Sequence, residues 1–170
     1  KATSGIGKLT REKGKNIWMS ETDWGDVAGF NAGEMGAGLW LAKKITEDIN
    51  TLSASAWILW QVIDSHKSKN GYCGNKDSGI PDKEKGFWGL AFADHDTQEI
   101  ILTQKYYCMA QFSKYINYGD TIYHVDNNIV CAYNGSELKV VIPNTNKYQK
   151  SVTFNFSDTN KIFNTVLPVR

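Results

Sequence analysis

Met35, Leu39, Ala42, Ile45, Ile49 and Leu52 recur at steps of three and four. That spacing predicts a helix over about 35–52 with one buried face. Its opposite face carries Lys43, Lys44, Glu47 and Asp48, and Lys44 and Asp48 stand four apart. Such a surface pair contributes a few tenths of a kcal/mol at best. Before the helix, Asn16 to Ser20 reads as a short buried strand, followed by a glycine-bearing loop over 23–33. After it, Ala54 to Gln61 (Ala-Ser-Ala-Trp-Ile-Leu-Trp-Gln) has the small and apolar content of a strand buried on both faces. Strand, helix and strand within about 45 residues form a βαβ unit with a right-handed crossover. Two parallel strands alone leave open edges and need further strands. Residues 1–15 are polar and rich in Lys and Gly, reading as a loop or the frayed end of an upstream helix.

Beyond this unit, Val62 to Gly86 reads as a long polar loop, of a length that is usually functional or disordered. Phe87 to Phe92 and Glu99 to Leu102 predict a β-hairpin around Asp94-His95-Asp96. Thr103 is placed to cap a helix from Gln104 to about Tyr115. After Tyr118-Gly119-Asp120 the pattern changes to short β-prone runs: Thr121–His124, Ile129–Tyr133, Leu138–Ile142, Ser151–Phe156 and Ile162–Val166. Asn134-Gly135 is a hairpin turn signal, and closely spaced short strands suggest a β-sandwich or part of one. The expected division is therefore an α/β domain over 1–118 and a β-sandwich region over 119–170.

Composition narrows the functional classes. The 170 residues suffice for one domain, or parts of two, and fall short of a complete eight-fold β/α barrel of roughly 250 residues. A net charge of +1 with no basic block gives no electrostatic footprint for nucleic acid. No apolar run is long enough for a membrane-spanning helix, and no apolar stretch of a signal peptide follows Lys1. Cys73, Cys108 and Cys131 are too few and too widely spaced for a disulfide framework. His66, His95 and His124 form no zinc-like spacing with them and read as loop or surface residues. No metal and no cofactor are expected. Six Trp and eight Tyr are a rich supply, suited equally to a packed aromatic core and to the flat apolar faces of sugars.

One stretch carries chemistry. The run Ile17-Trp18-Met19 ends on Glu21, a carboxylate bracketed by Trp18 and Trp24. An acid at the end of a strand is how a β/α barrel presents a catalytic group. The same acid could equally be a surface carboxylate in a loop. Trp60 and Gln61 end the second strand, on the side where Glu21 ends the first. Trp60 could stack on a sugar or fill the interior, Gln61 could bond a hydroxyl, and Trp24 could line the same mouth. Asp23 and Asp64 read as loop or supporting groups. Asp77, Asp82, Asp94 and Asp96 lack the spacing of a calcium loop and read as turns. Retaining glycoside hydrolysis needs a second carboxylate about 5–5.5 Å from the first. No other strand ends on an acid in a comparable setting. Glu34, Glu47 and Asp48 fall on the helix, and Glu99 in the hairpin.

These residues resemble glycoside hydrolase family 30. The resemblance rests on Ile17-Trp18-Met19-Ser20-Glu21, on Gly38-Leu39-Trp40-Leu41-Ala42-Lys43-Lys44-Ile45, and on Ala56-Trp57-Ile58-Leu59-Trp60-Gln61. Lys105-Tyr106-Tyr107 and Gln111-Phe112-Ser113-Lys114-Tyr115-Ile116 are similar to that family's last barrel helix. The flavour is that of its endo-β-1,6-galactanase-like branch. The resemblance implies the last two βα units of a (β/α)8 barrel followed by a partial side β-sandwich. It implies a retaining mechanism, with Glu21 as nucleophile at the end of the seventh strand. Trp60 and Gln61 would then end the eighth. The family's acid/base is a Glu after an Asn on the fourth strand, and this sequence contains no Asn-Glu pair. The chain is thus expected to be a fragment, inactive alone, whose partner is the N-terminal part of the barrel. A secreted protein acting on a β-linked polysaccharide is implied. The alternative is a non-catalytic carbohydrate-binding module.

Overall fold

The structure, a computed structural model, describes residues 2–22, 35–60, 62–67, 89–156 and 161–168. In chain order the elements are α1 (Ala2–Glu12), β1 (Trp18–Met19), α2 (Met35–Leu52), β2 (Ala56–Trp57), β3 (Ile63–Lys67), β4 (Ala91–Asp94) and β5 (Glu99–Leu102). There follow α3 (Gln104–Tyr115), β6 (Thr121–Tyr123), β7 (Val130–Tyr133), β8 (Leu138–Val141), β9 (Lys150–Phe156) and β10 (Lys161–Leu167). The helix predicted from the 35–52 periodicity is present over that span. β1 and β2 pair in parallel, Trp18 opposite Ala56 and Met19 opposite Trp57. The strand–helix–strand order read from the pattern is therefore observed.

The core lies where α2, α3 and β7 meet. Leu41, Ala42, Ile45, Leu90, Phe112 and Val130 are buried together, with Trp57 and Leu59 of the β2 segment packed against them. Each large apolar side chain buried this way contributes about 1.5–3 kcal/mol. The two helices approach closely because position 38 is glycine. A Cβ there would lie 2.7 Å from Cys108 Sγ and 2.8 Å from the Gln104 carbonyl oxygen. Asn50 ties the same helix to the β region, its amide donating to Thr46 O and Ile129 O, both at 2.8 Å.

Several expectations are corrected. Most of the first fifteen residues form a true helix, α1, docked on α2. Gly7 permits that docking, since a Cβ would fall 2.3 Å from Thr51 O. Glycines weaken helix propensity, so the packing that repays them is invisible in the pattern. The Ala54–Gln61 run is not buried on both faces. Only Ala56–Trp57 enters the ladder, and Ile58 and Trp60 are exposed, at 44% and 53%. The polar run from Val62 opens with a strand, β3, parallel to β4. His66 and Asp64 therefore lie in a strand rather than a loop. The rest of that run, with Cys73, Asp77 and Asp82, lies outside the described residues, as do Asp23 and Glu34. Asp48 does not face solvent: it is 2% exposed. Thr103 occupies the N-cap position without capping. Its hydroxyl donates instead to Leu90 O at 2.7 Å, fastening the start of α3 to the residue that precedes β4.

Other readings hold. β4 and β5 form the expected hairpin, with its turn one residue later, at His95–Gln98. There the Asp94 carboxylate accepts from the Asp96 and Thr97 backbone N–H groups. β6, β7 and β8 form an antiparallel meander. Its second turn is built on Asn134, whose side-chain oxygen accepts from Ser136 N and Glu137 N, with Gly135 at φ 96°. β9 and β10 form a separate hairpin of seven facing pairs. Val140 and Ile142 on one side and Phe154 and Phe163 on the other line an open cleft of about 490 Å³ between the two sheets. Cys108 and Cys131 are free thiols whose pKa is raised by burial.

Candidate functional site

The parallel pairing of β1 and β2 continues past the formal ladder. Ser55 N donates to Ile17 O at 2.9 Å, Ile58 N to Met19 O at 2.8 Å, and Trp60 N to Thr22 O at 3.3 Å. Residues 17–22 and 55–60 thus run side by side toward a common C-terminal end. Glu21 lies there on one segment and Trp60 on the other. The structure brings these two sequence-predicted residues together at one edge, both exposed to solvent. Trp24 and Gln61, the other two, lie outside the described residues.

Alternation along the strands separates two faces. Trp57 and Leu59 turn toward the core under α2. Ile58 and Trp60 turn the other way, and Trp18, opposite Ala56, is 64% exposed. An open apolar face carrying two indoles therefore leads up to the Glu21 end. Trp18 was flagged in the sequence only as a bracket around Glu21. Its exposure follows from the pairing register, which a single strand's pattern does not contain.

Other described acids, the buried Asp48, the half-buried Asp120 and the exposed Asp126, have structural partners. Asp48 accepts from the indole Nε1–H of Trp57 at 2.9 Å and from the Lys44 ammonium. Asp120 accepts two bonds from Lys139 Nζ, at 2.9 and 3.0 Å, and one from Asn117 N at 2.7 Å. The Asn117 N–H, and then Lys139, hold its carboxyl below the usual range. Asp126 is lowered likewise, chiefly by the backbone N–H of Asn128. A cavity of about 700 Å³ opens at the other end of β2, between Ser55, Trp57, Met109 and Ile116. It is not lined by Glu21 or Trp60. Among the described residues, no group of three or more His, Cys, Asp or Glu could hold a metal ion. No described helix is long and apolar enough to cross a membrane.

An exposed carboxylate and an exposed indole at the same strand end can do two things chemically. The indole face can carry a sugar ring, and the carboxylate can attack or hydrogen-bond a group held there.

No protein-family model matches the chain. It is 26% identical over 140 residues to an endo-β-1,6-galactanase from Hypocrea rufa, an alignment spanning 81% of this chain and 23% of that protein. Among solved structures, SrfJ from Salmonella typhimurium superposes with a TM-score of 0.69 at 15% identity, over 98% of this chain and 36% of that one. The glycoside hydrolase family 30 subfamily 8 xylanase Xyn30A from Clostridium acetobutylicum gives 0.64 at 22% identity, over 95% and 42%. A family 30 endoxylanase from Clostridium papyrosolvens gives 0.63 at 17% identity, over 98% and 44%. The chain therefore has a mixed α/β fold that matches part of family 30 structures, and it resembles those glycoside hydrolases distantly. It spans less than half the length of each protein named.

Proposed function

We propose that these residues form the part of a retaining β-glycosidase that carries the nucleophile, Glu21. In this reading β1, α2, β2 and α3 are the last two βα units of a (β/α)8 barrel, and the later strands belong to a side β-sandwich. The observation that carries it is the pairing of residues 17–22 with 55–60, which sets Glu21 and Trp60 at the same end of two parallel strands. In a β/α barrel that end is the catalytic face.

The chemistry follows. A Glu21 carboxylate oxygen attacks the anomeric carbon, and the bond from that carbon to the leaving oxygen breaks. The leaving oxygen takes a proton from a second carboxylic acid. Water, deprotonated by that same second residue, then attacks the anomeric carbon and releases Glu21. Trp60 offers a stacking surface, with Trp24 and Gln61 as further sugar contacts. The second acid comes from outside these 170 residues, because no Asn-Glu pair occurs among them. β-1,6-Galactan is the first polysaccharide to test, with xylan second, following the activities named for the relatives. A polymeric substrate supports a location outside the cell.

In the enzyme containing this segment, Glu21→Gln is expected to lower kcat on the polysaccharide by roughly 10³-fold or more. Retention of full activity by that variant would refute the assignment. The exposed indoles Trp18 and Trp60 favour a second reading, a non-catalytic carbohydrate-binding surface. It differs in expecting oligosaccharide binding that is indifferent to Glu21→Gln and no turnover at all.

A further inference from the structure

Asp48 is a charged side chain buried inside α2, where one carboxylate oxygen accepts from Lys44 and the other from the indole N–H of Trp57. Burying an ion pair rarely adds net stability over apolar packing, and its best-attested use is to specify register. The β2 segment has a register to specify. Its inward residues are Trp57 and Leu59, and its outward ones are Ile58 and Trp60. Both sets are one indole and one branched aliphatic chain, so apolar burial discriminates weakly between them. A slip of one residue would exchange the faces. It would turn Trp60 inward and set Ile58, which has no donor, against the carboxylate. A buried carboxylate stripped of a hydrogen bond is costly. The regular ladder is short, two residues per strand, with three backbone bonds flanking it.

We propose that Asp48 is a positioning residue: through Trp57 it selects the register of β2 and so places Trp60 beside Glu21. The consequence for sugar binding rests on the proposed function, whereas the register claim does not. Only the observed register gives the bonds from Ile58 N to Met19 O and from Trp60 N to Thr22 O together with an inward Trp57.

Amide hydrogen exchange at Ile58 and Trp60 tests this in the purified protein, with the amides of Leu41 and Ile45 in α2 reporting the rest of the fold. Asp48→Leu and Trp57→Phe are expected to speed exchange at Ile58 and Trp60 roughly 10- to 100-fold while the α2 amides stay protected. Asp48→Asn keeps an acceptor oxygen for the indole and is expected to stay near wild type. Leu59→Ala, which removes packing but no hydrogen bond, should not free those two amides selectively. If Asp48→Leu does not fold, Trp57→Phe carries the test, since it keeps an aromatic ring at the position and deletes the donor. Unchanged exchange in Trp57→Phe, or Asp48→Asn as damaging as Asp48→Leu, overturns the proposal. Oligosaccharide affinity is measured alongside: Trp57→Phe should lose it together with Trp60→Ala. If Trp60→Ala binds sugar normally, the functional reading fails while the exchange result still decides the register.

Discussion

Glu21 and Asp48 show opposite fates for two acids that look alike in the sequence. Glu21 is exposed at the end of a strand segment, without a structural task in the described contacts. Asp48 was read as half of a surface ion pair and is instead buried, bonded to Trp57. The difference is tertiary: helical spacing assigns Asp48 to a polar face, and only the position of β2 brings an indole to it. Stability should therefore respond differently. Glu21→Gln is expected to leave the melting temperature within about 1 °C, as befits an exposed side chain far from core packing. Trp60→Ala should weaken oligosaccharide binding roughly tenfold by removing the stacking surface, as titration calorimetry would read. A third acid contributes to the acid limb. Asp120 has a folded pKa below its unfolded one, through Asn117 N–H and then Lys139. Its stabilisation is complete above the ordinary carboxylate value of about 3.9 and is lost as the pH falls through the folded value. Asp120→Asn should melt lower at neutral pH and lose part of the fall in melting temperature below about pH 4.

The helices and hairpins were the most legible elements, because each is specified by a local signal. The three- and four-residue steps gave α2, and Asn134-Gly135 gave the β7–β8 turn. β3 is not legible and residues 1–15 read only as a loop or the frayed end of a helix, since the partners of β3 and α1, β4 and α2, lie far along the chain. Trp60 and Glu21 were placed at one end correctly, as the βαβ order requires. The open face leading to them was not legible, because burial on a strand depends on its neighbours. The α2–α3 contact carries a testable consequence. Gly38→Ala would gain about 1 kcal/mol of helix propensity. It would also drive a methyl into the Gln104 backbone, which cannot rotate aside as a side chain can, at a cost of about 1–3 kcal/mol. A net loss of about 1 kcal/mol of unfolding free energy is expected, read as a lower urea midpoint, and a gain in stability would show that α3 moves freely. Phe112→Ala, in the same contact, should cost about 3–5 kcal/mol.

The assembled chain leaves much apolar surface in the open. Trp18, Ile58 and Trp60 lie on one face of a two-stranded parallel sheet. Among the described residues this pair has no further strand on either edge, and an unpaired edge is a template for further strands. The 170 residues taken alone should therefore self-associate in light scattering and fail to hydrolyse polysaccharide, their proposed acid lying elsewhere. A monodisperse monomer with turnover on galactan or xylan would contradict both expectations. The role given to Glu21 can be examined without that acid. A 2-fluoro-glycoside with an activated leaving group needs no proton donor for the first step, and the fluorine slows release of the covalent sugar. Mass spectrometry of the digested protein should find one fluoroglycosyl unit on the peptide carrying Glu21, and none in Glu21→Gln. A label on a different carboxylate, or none at all, would contradict the assignment of Glu21 as nucleophile.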